Sequence, residues 1–226
     1  MIQKNFIKKC FFRTDINMKN KGYKTFKFKG LTFKIHPEVY DPAEDTFQLI
    51  ESVKIKKDDK MLDIGCGCGI IGLACAKKGA NVVCTDINPF AIENTKENYN
   101  YNKNLIKGYF EVRKGDLFSP ISENEIFDII VFNPPYLPSL KEDIIDDKWF
   151  NTAVDGGKTG LEVTKKFILN VQKYLTPTGF VYFVFSSLAN KEYLFDILSK
   201  TSFRYDILNS ISYNNEKIEI FRLKNL

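Results

Sequence analysis

No apolar run in this chain approaches the roughly 20 residues that a membrane helix needs, and its lysine-rich first residues lack the apolar core and small-residue cleavage site of a secretory signal. Both absences predict a soluble, cytoplasmic protein with no membrane role. Cysteine is sparse: Cys10, Cys66, Cys68, Cys75 and Cys84 are odd in number and show no Cys-x2-Cys spacing. That excludes a zinc-finger pattern and a paired disulfide framework, and leaves reduced thiols with no metal. Histidine is scarcer still. His36, the single one, has no cysteine or carboxylate cluster beside it in sequence and reads as structural or surface. Internal repeats are absent, and the lysine-rich arm is the only biased tract.

What remains is a chain of 226 residues, 44% apolar, which is enough to bury a full α/β core. Its formal charge of +5 is unevenly spread. Residues 1–34 hold ten of the 33 basic residues but one of the 28 acids, so the rest carries 23 basic against 27 acidic. A basic arm interleaved with Phe6, Phe11, Phe12, Tyr23, Phe26 and Phe28 suits RNA or ribosome contact. A solvated face with a frayed terminus is the simpler explanation of it. The expected division is an arm and hairpin over residues 1–36, then one domain over 37–226.

Alternation from Tyr23 to Ile35 about a central glycine predicts a hairpin. A helix is expected from Pro42 to about Val53. Strands are expected at Met61–Ile64, Asn81–Asp86, Tyr109–Arg113, Phe127–Phe132 and Phe180–Phe185. Helices fall between them, the one after Asn88-Pro89 reaching about Asn102. Residues 139–151 read as acidic and irregular. Two strands, near Tyr205–Asn209 and Lys217–Leu223, close the chain. This rhythm implies a Rossmann-like, mainly parallel seven-stranded sheet with helices on both faces and an antiparallel carboxyl-terminal edge.

The chemistry concentrates at strand ends. Met61-Leu62-Asp63-Ile64 runs into glycines 65, 67 and 69, and Asp86 ends the next strand about 20 residues on, spaced to hold ribose hydroxyls. A dinucleotide-binding oxidoreductase shares that much. The acid Asp63 before the first glycine points instead to S-adenosylmethionine, whose amino group calls for a nearby carboxylate and whose sulfonium brings no phosphate. Asp116, after the third strand, suits an adenine amine or an ordinary turn. The fourth strand ends in Asn133-Pro134-Pro135-Tyr136. Two prolines fix two φ angles and withhold two N–H donors, so the Pro134 carbonyl stays free beside the Asn133 side-chain carbonyl, with Tyr136 as a flat face. Two fixed acceptors and a stacking surface suit a planar –NH2 group, whose delocalised lone pair needs orientation to react. Alone, Asn-Pro-Pro also serves as a plain strand-ending turn.

Six segments in order carry a resemblance: Val39 to Phe47, Asp63 to Gly69, Thr85 to Pro89, Gly115 to Leu117, Asn133 to Tyr136 and Gly156 to Glu162. Over about Pro37 to Leu188 the chain resembles class I methyltransferases of the HemK family, in the short form that methylates the Gly-Gly-Gln glutamine of eukaryotic and archaeal release factors. The resemblance implies that Thr46, Asp63, Gly65, Cys66, Gly67, Gly69, Asp86, Ile87, Asn88, Asp116 and Leu117 hold S-adenosylmethionine, with Asn133 at its border. It implies that Asn133 and Pro134, in the frame set by Pro135, bind the target amide while Tyr136 stacks on it. It further implies a small zinc-binding activator joined by strand addition to the third strand. Two positions depart from the family pattern: Asp41 stands where glutamate is usual, and Val154-Asp155 where tryptophan and alanine often precede the double glycine. Three rival readings stand: methylation of an exocyclic amine of RNA or DNA, methylation of protein lysine, and a binding subunit without catalysis.

Overall fold

In the computed structural model, which describes residues 22–139, 147–213 and 215–226, the alternating start of the chain pairs with itself. Strands β1 (Lys24–Phe28) and β2 (Leu31–Ile35) are joined by Lys29 and Gly30, both at positive φ (49° and 73°), the geometry of a two-residue hairpin turn. Next come α1 (Glu44–Ser52), β3 (Lys60–Ile64), α2 (Ile70–Lys77), β4 (Asn81–Asp86), α3 (Pro89–Asn102), β5 (Phe110–Lys114) and β6 (Phe127–Phe132). The chain ends through α4 (Lys148–Val154), α5 (Glu162–Val171), β7 (Leu175–Ser186), α6 (Lys191–Ser199), β8 (Phe203–Tyr213) and β9 (Glu216–Asn225). Local chemistry sets the helix starts. Asn88 accepts from the Phe90 N–H and Pro89 occupies the first helical position of α3, while Asp147 and Asn190 cap α4 and α6 through the N–H groups of Phe150 and Tyr193.

The second sheet has seven strands in the order β5-β4-β3-β6-β7-β9-β8. Strands β3 to β7 run parallel, and β9 and β8 add antiparallel. Chain order therefore reverses between β3 and β6, the switch point where ligands of such sheets bind. Period-two alternation divides the core. Met61, Val82, Ile129 and Val131 pack with the hairpin, α1 and α2 on one face. Leu62, Ile64, Ile130 and Phe132 pack with α5 and α6 on the other.

The hairpin belongs to this core: Leu31, Phe33 and Ile35 are buried. One edge of β2 pairs with β1 and the other with a helix. Asn94, Asn98 and Asn102 recur every four residues on α3, so they form one stripe. Asn102 accepts from the Thr32 N–H and donates to its carbonyl. Asn98 accepts from the Lys34 N–H, Asn94 and Asn98 both donate to the Lys34 carbonyl, and Asn94 accepts from the His36 N–H. Three amides thus stand in for a third strand. His36 is structural, its Nδ1 accepting from the Glu38 N–H and its ring stacked on Phe90 at 4.9 Å.

Several expected boundaries shift. Pro42 lies before the helix, whose amino-terminal cap is Ala43. The third strand runs Phe110–Lys114, one residue later than its alternation suggests. The stretch expected to be irregular ends inside α4, whose first four residues it holds, and β8 and β9 extend well past their apolar centres because each supplies ten pairs to the other. Residues 1–21, which hold Cys10 and most of the basic arm, and residues 140–146 lie outside the described residues. Among the described residues no helix is long and apolar enough to cross a membrane.

Candidate active site

Register brings the predicted residues together. Ile64 pairs with Thr85 on one side and with Phe132 on the other, so Gly65, Asp86 and Asn133 leave the sheet at one level. They open onto a cavity of about 600 Å³, a size suited to a cofactor-sized molecule. Thr46, Cys66, Gly67, Ile87, Asn88, Asp116, Leu117 and Pro134 to Tyr136 also line it. Two expected residues do not: Asp63 and Gly69.

Asn133 is fixed by its nitrogen. Its Nδ2 donates to Asp45 Oδ2 at 3.1 Å and to Thr46 Oγ1 at 3.2 Å, which uses both amide hydrogens. Its Oδ1 is fully buried with no hydrogen-bond partner, a costly state for a lone acceptor and one that a ligand donor would relieve. The Pro134 carbonyl likewise has no partner among the described residues. Tyr136 is buried, and its hydroxyl donates to Asp45 Oδ2 at 3.2 Å. The glycine turn after α4 braces this loop from behind. Leu137 N–H donates to the Val154 carbonyl and Gly156 N–H to the Leu137 carbonyl. A Cβ on Gly160, whose φ is +78°, would lie 2.5 Å from the Tyr136 carbonyl oxygen.

Gly65, Gly67 and Gly69 all hold positive φ (64°, 57° and 80°), and the bend they make ends as the left-handed cap of α2. Asp86 closes it: Oδ2 accepts from the Gly67 N–H at 2.9 Å and Oδ1 from the Asn88 N–H at 2.8 Å. Burial holds the Asp86 carboxyl above the usual carboxylate range. A carboxylate on the bend's own N–H occupies the place where a dinucleotide site would set a phosphate. Asp45, Asp86 and Asp116 all line the cavity, an acidic wall in which Asp86 and Asp116 fit the ribose and adenine amine groups, and whose charge suits the amino group and positive sulfur of S-adenosylmethionine. Leu117, at φ 46°, turns the chain directly after Asp116. Gly69 acts from behind, where a Cβ would meet Thr95 Cγ2 at 2.7 Å. Thr95 Oγ1 in turn donates to the Gly67 carbonyl.

Asp63 corrects an expectation. Strand alternation sends its side chain down with Met61 against α2, not up to the bend, and it is fully buried. Its Oδ2 accepts from the Gly72 N–H at 2.9 Å, and Oδ1 has no partner. Burial raises this carboxyl to about 7. A folded-state value above the unfolded one means that the folded chain holds the proton more tightly, so stability declines as pH rises from about 4 to about 7 and is level beyond. Asp63→Asn, uncharged throughout, should melt close to wild type at about pH 4. At pH 8 it should melt higher, by an amount on the order of a few kcal/mol. Thermal melts of both proteins at the two pH values check this, and a gap that does not widen with pH counts against the buried charge as its source.

Two features had no part in the sequence reading. Asp45 is a buried carboxylate joining α1 to the Asn133 loop. The short helix α4 brings Lys148 and Trp149 to the cavity rim, Trp149 meeting Phe90 edge to face at 6.5 Å. The four described cysteines are unpaired and buried, and burial pushes the Cys75 thiol up to about 12 and those of Cys68 and Cys84 higher than ordinary. They fill space as protonated thiols.

Comparison with known proteins places these features in context. The family described as methyltransferase small domain matches residues 31–205. A putative protein N5-glutamine methyltransferase of Methanocaldococcus jannaschii is 42% identical over 167 residues, 74% of this chain and 81% of that protein. The release factor glutamine methyltransferase of Clostridium acetobutylicum is 35% identical over 209 residues, 84% of this chain and 72% of that protein. Among solved structures, the Mtq2–Trm112 complex of E. cuniculi, described as responsible for methylation of the termination factor eRF1, aligns with a TM-score of 0.63. That match has 24% identity and covers 84% of this chain and 99% of the other.

Proposed function

This chain belongs to the methyltransferase small-domain family, among the HemK-type protein N5-glutamine methyltransferases, and we propose that it methylates the side-chain amide of the Gly-Gly-Gln glutamine of a class I release factor. It is an S-adenosylmethionine-dependent N-methyltransferase. The observation that carries a planar –NH2 acceptor is the buried, partnerless Oδ1 of Asn133 beside the Pro134 carbonyl, which has no partner among the described residues; the choice of glutamine among such groups follows the relatives named as protein glutamine methyltransferases. A primary carboxamide offers two N–H donors to just such a pair.

In this reading S-adenosylmethionine, when bound, supplies an electrophilic methyl on a positively charged sulfur. Asp86 would accept from its ribose hydroxyls and Asp116 from its adenine amine, with Thr46, the bend at Gly65 to Gly67 and the Ile87, Asn88 and Leu117 backbone completing the cradle. Asn133 and Pro134 each accept one hydrogen of the acceptor –NH2, so its nitrogen is held with the lone pair free of both bonds. Tyr136 closes the flat side of the slot. Neither wall residue types nor burial supply a strong base: the clamp lacks histidine, and Lys148 and Lys166 stand elsewhere on the cavity wall. Rate then comes from orientation and from acceptors that strengthen as positive charge develops on nitrogen, and the surplus proton leaves to water after transfer.

A small zinc-binding activator would complete the protein by pairing with β5, the outer strand at the parallel end of the sheet, beside the exposed Tyr109 and Leu105. A role in translation termination implies a cytoplasmic site of action. The same amine slot suits a flipped base, with the arm as an RNA or ribosome contact. Against a nucleic-acid track, Lys24, Lys29 and Lys34 of the hairpin are tied to Asp41, Glu51 and Glu97 and have little charge left for phosphates. The test is a labelling assay with radioactive cofactor, with and without an activator candidate, offering a release factor and total RNA side by side. Label on the factor's glutamine, located by peptide mass spectrometry, supports the reading. Label on RNA, or on lysine, overturns it.

A further inference from the structure

We infer that Asp45 is a positioning residue that fixes which end of the Asn133 amide faces the acceptor, an inference that rests on the reading of Asn133 proposed above. The carboxylate is 4% exposed and sits where α1 meets the loop after β6. Oδ1 accepts from Thr46 N at 2.6 Å and from Thr46 Oγ1 at 3.2 Å. Oδ2 accepts from Asn133 Nδ2 at 3.1 Å and from Tyr136 OH at 3.2 Å. All four partners donate, and four is about the number of acceptor positions that an ionised carboxylate has. The ionised form accepts from all four as they stand, whereas a neutral carboxyl has to turn either a hydroxyl or the Asn133 amide into an acceptor.

The consequence reaches the cavity through a choice between two amide orientations. Thr46 Oγ1, spending its hydrogen on Asp45, accepts the second hydrogen of Asn133 Nδ2 at 3.2 Å. With Asp45 charged, nitrogen must face inward and Oδ1 outward, as an acceptor. With Asp45 neutral, one of its oxygens becomes a donor, and Asn133 can turn Oδ1 toward it. The slot would then present –NH2 to an –NH2 acceptor, and binding would fail by donor against donor. Burial raises the Asp45 carboxyl above its ordinary value, opposed by the hydrogen bonds from Asn133 and Thr46. Other charged groups on the same cavity wall are Asp86 at the end of β4, Asp116 after β5, Lys148 at the start of α4, Asp155 after it, and Lys166 on α5.

Asp45→Asn is isosteric and tests this in full-length protein. Turnover on the release factor should fall roughly 10- to 100-fold, while the cofactor Kd from calorimetry changes far less, and the acid limb of the wild-type pH profile should disappear. In an Asn133→Ala background the same change should cost nothing further, because the residue it positions is gone. Independently of any acceptor, the side-chain 15N resonance of Asn133, assigned by its loss in Asn133→Ala, should titrate with pH in wild type and not in Asp45→Asn. Turnover equal to wild type, losses that multiply in the double variant, or an Asn133 resonance blind to pH would each overturn the inference. Should the wild type label RNA instead, the acceptor proposal falls while the resonance test still decides the role of Asp45.

Discussion

Asn133→Ala should leave the cofactor Kd within a few-fold of wild type and lower turnover roughly 10²- to 10⁴-fold. That range is typical for removal of a preorganised hydrogen-bonding group that acts in the transition state. The expectation comes from what Oδ1 lacks. A buried acceptor without a partner is a cost carried by the folded protein, recovered only when a donor enters. Once it is gone, the acceptor nitrogen keeps one fixed hydrogen bond, to Pro134, and can rotate about it. Asn133→Asp is informative beside it. That side chain keeps an outward oxygen but has no hydrogen for Asp45, so two buried carboxylates would face each other and one would take a proton. Single-turnover rates with saturating cofactor, set beside calorimetric Kd values, separate the two effects, and equal turnover in wild type and Asn133→Ala would remove Asn133 from the chemistry.

Much of this was legible because the features involved are local. Phe127 to Phe132 is apolar but for Asp128 and stops at Asn-Pro-Pro, so both the strand and its end are written in the local sequence. Asn88-Pro89 announces the cap of α3, and the glycines at 65, 67 and 69 announce the bend. What escaped depends on partners far away in sequence. Glu44 and Asp45 are adjacent acids in one helical turn, and only the packing of α1 on the Asn133 loop, some 88 positions on, makes the first exposed and the second buried. Asp63 sits in the expected strand, yet which face an acid takes depends on the register of the whole sheet. The asparagines at 94, 98 and 102 repeat at helical spacing, a signal present in the sequence, but hydrophobic periodicity does not count amides. Helix α4 is seven residues long with a single cap, too short for a period to emerge.

Asp86→Ala should fail in the opposite way to Asn133→Ala, raising the cofactor Kd about 10²-fold or more while leaving turnover at saturating cofactor much closer to wild type. Two charge-assisted hydrogen bonds to ribose hydroxyls, at about 1.5 to 3 kcal/mol each, set the scale. The carboxylate also works on the empty protein. It holds the N–H groups of Gly67 and Asn88, so the bend is already closed before anything binds and its truncation loosens the cradle as well as removing the acceptor. Asp86→Asn divides these contributions: its amide oxygen can keep one N–H, but its nitrogen presents hydrogens to the other. Calorimetric titration with S-adenosylmethionine and with S-adenosylhomocysteine is the measurement. Both ligands carry the same ribose and differ in the charge on sulfur, so a loss through the ribose should be nearly equal for the two. A loss confined to S-adenosylmethionine would assign Asp86 to the cation instead, and unchanged affinity for both would move the ribose site away from the end of β4.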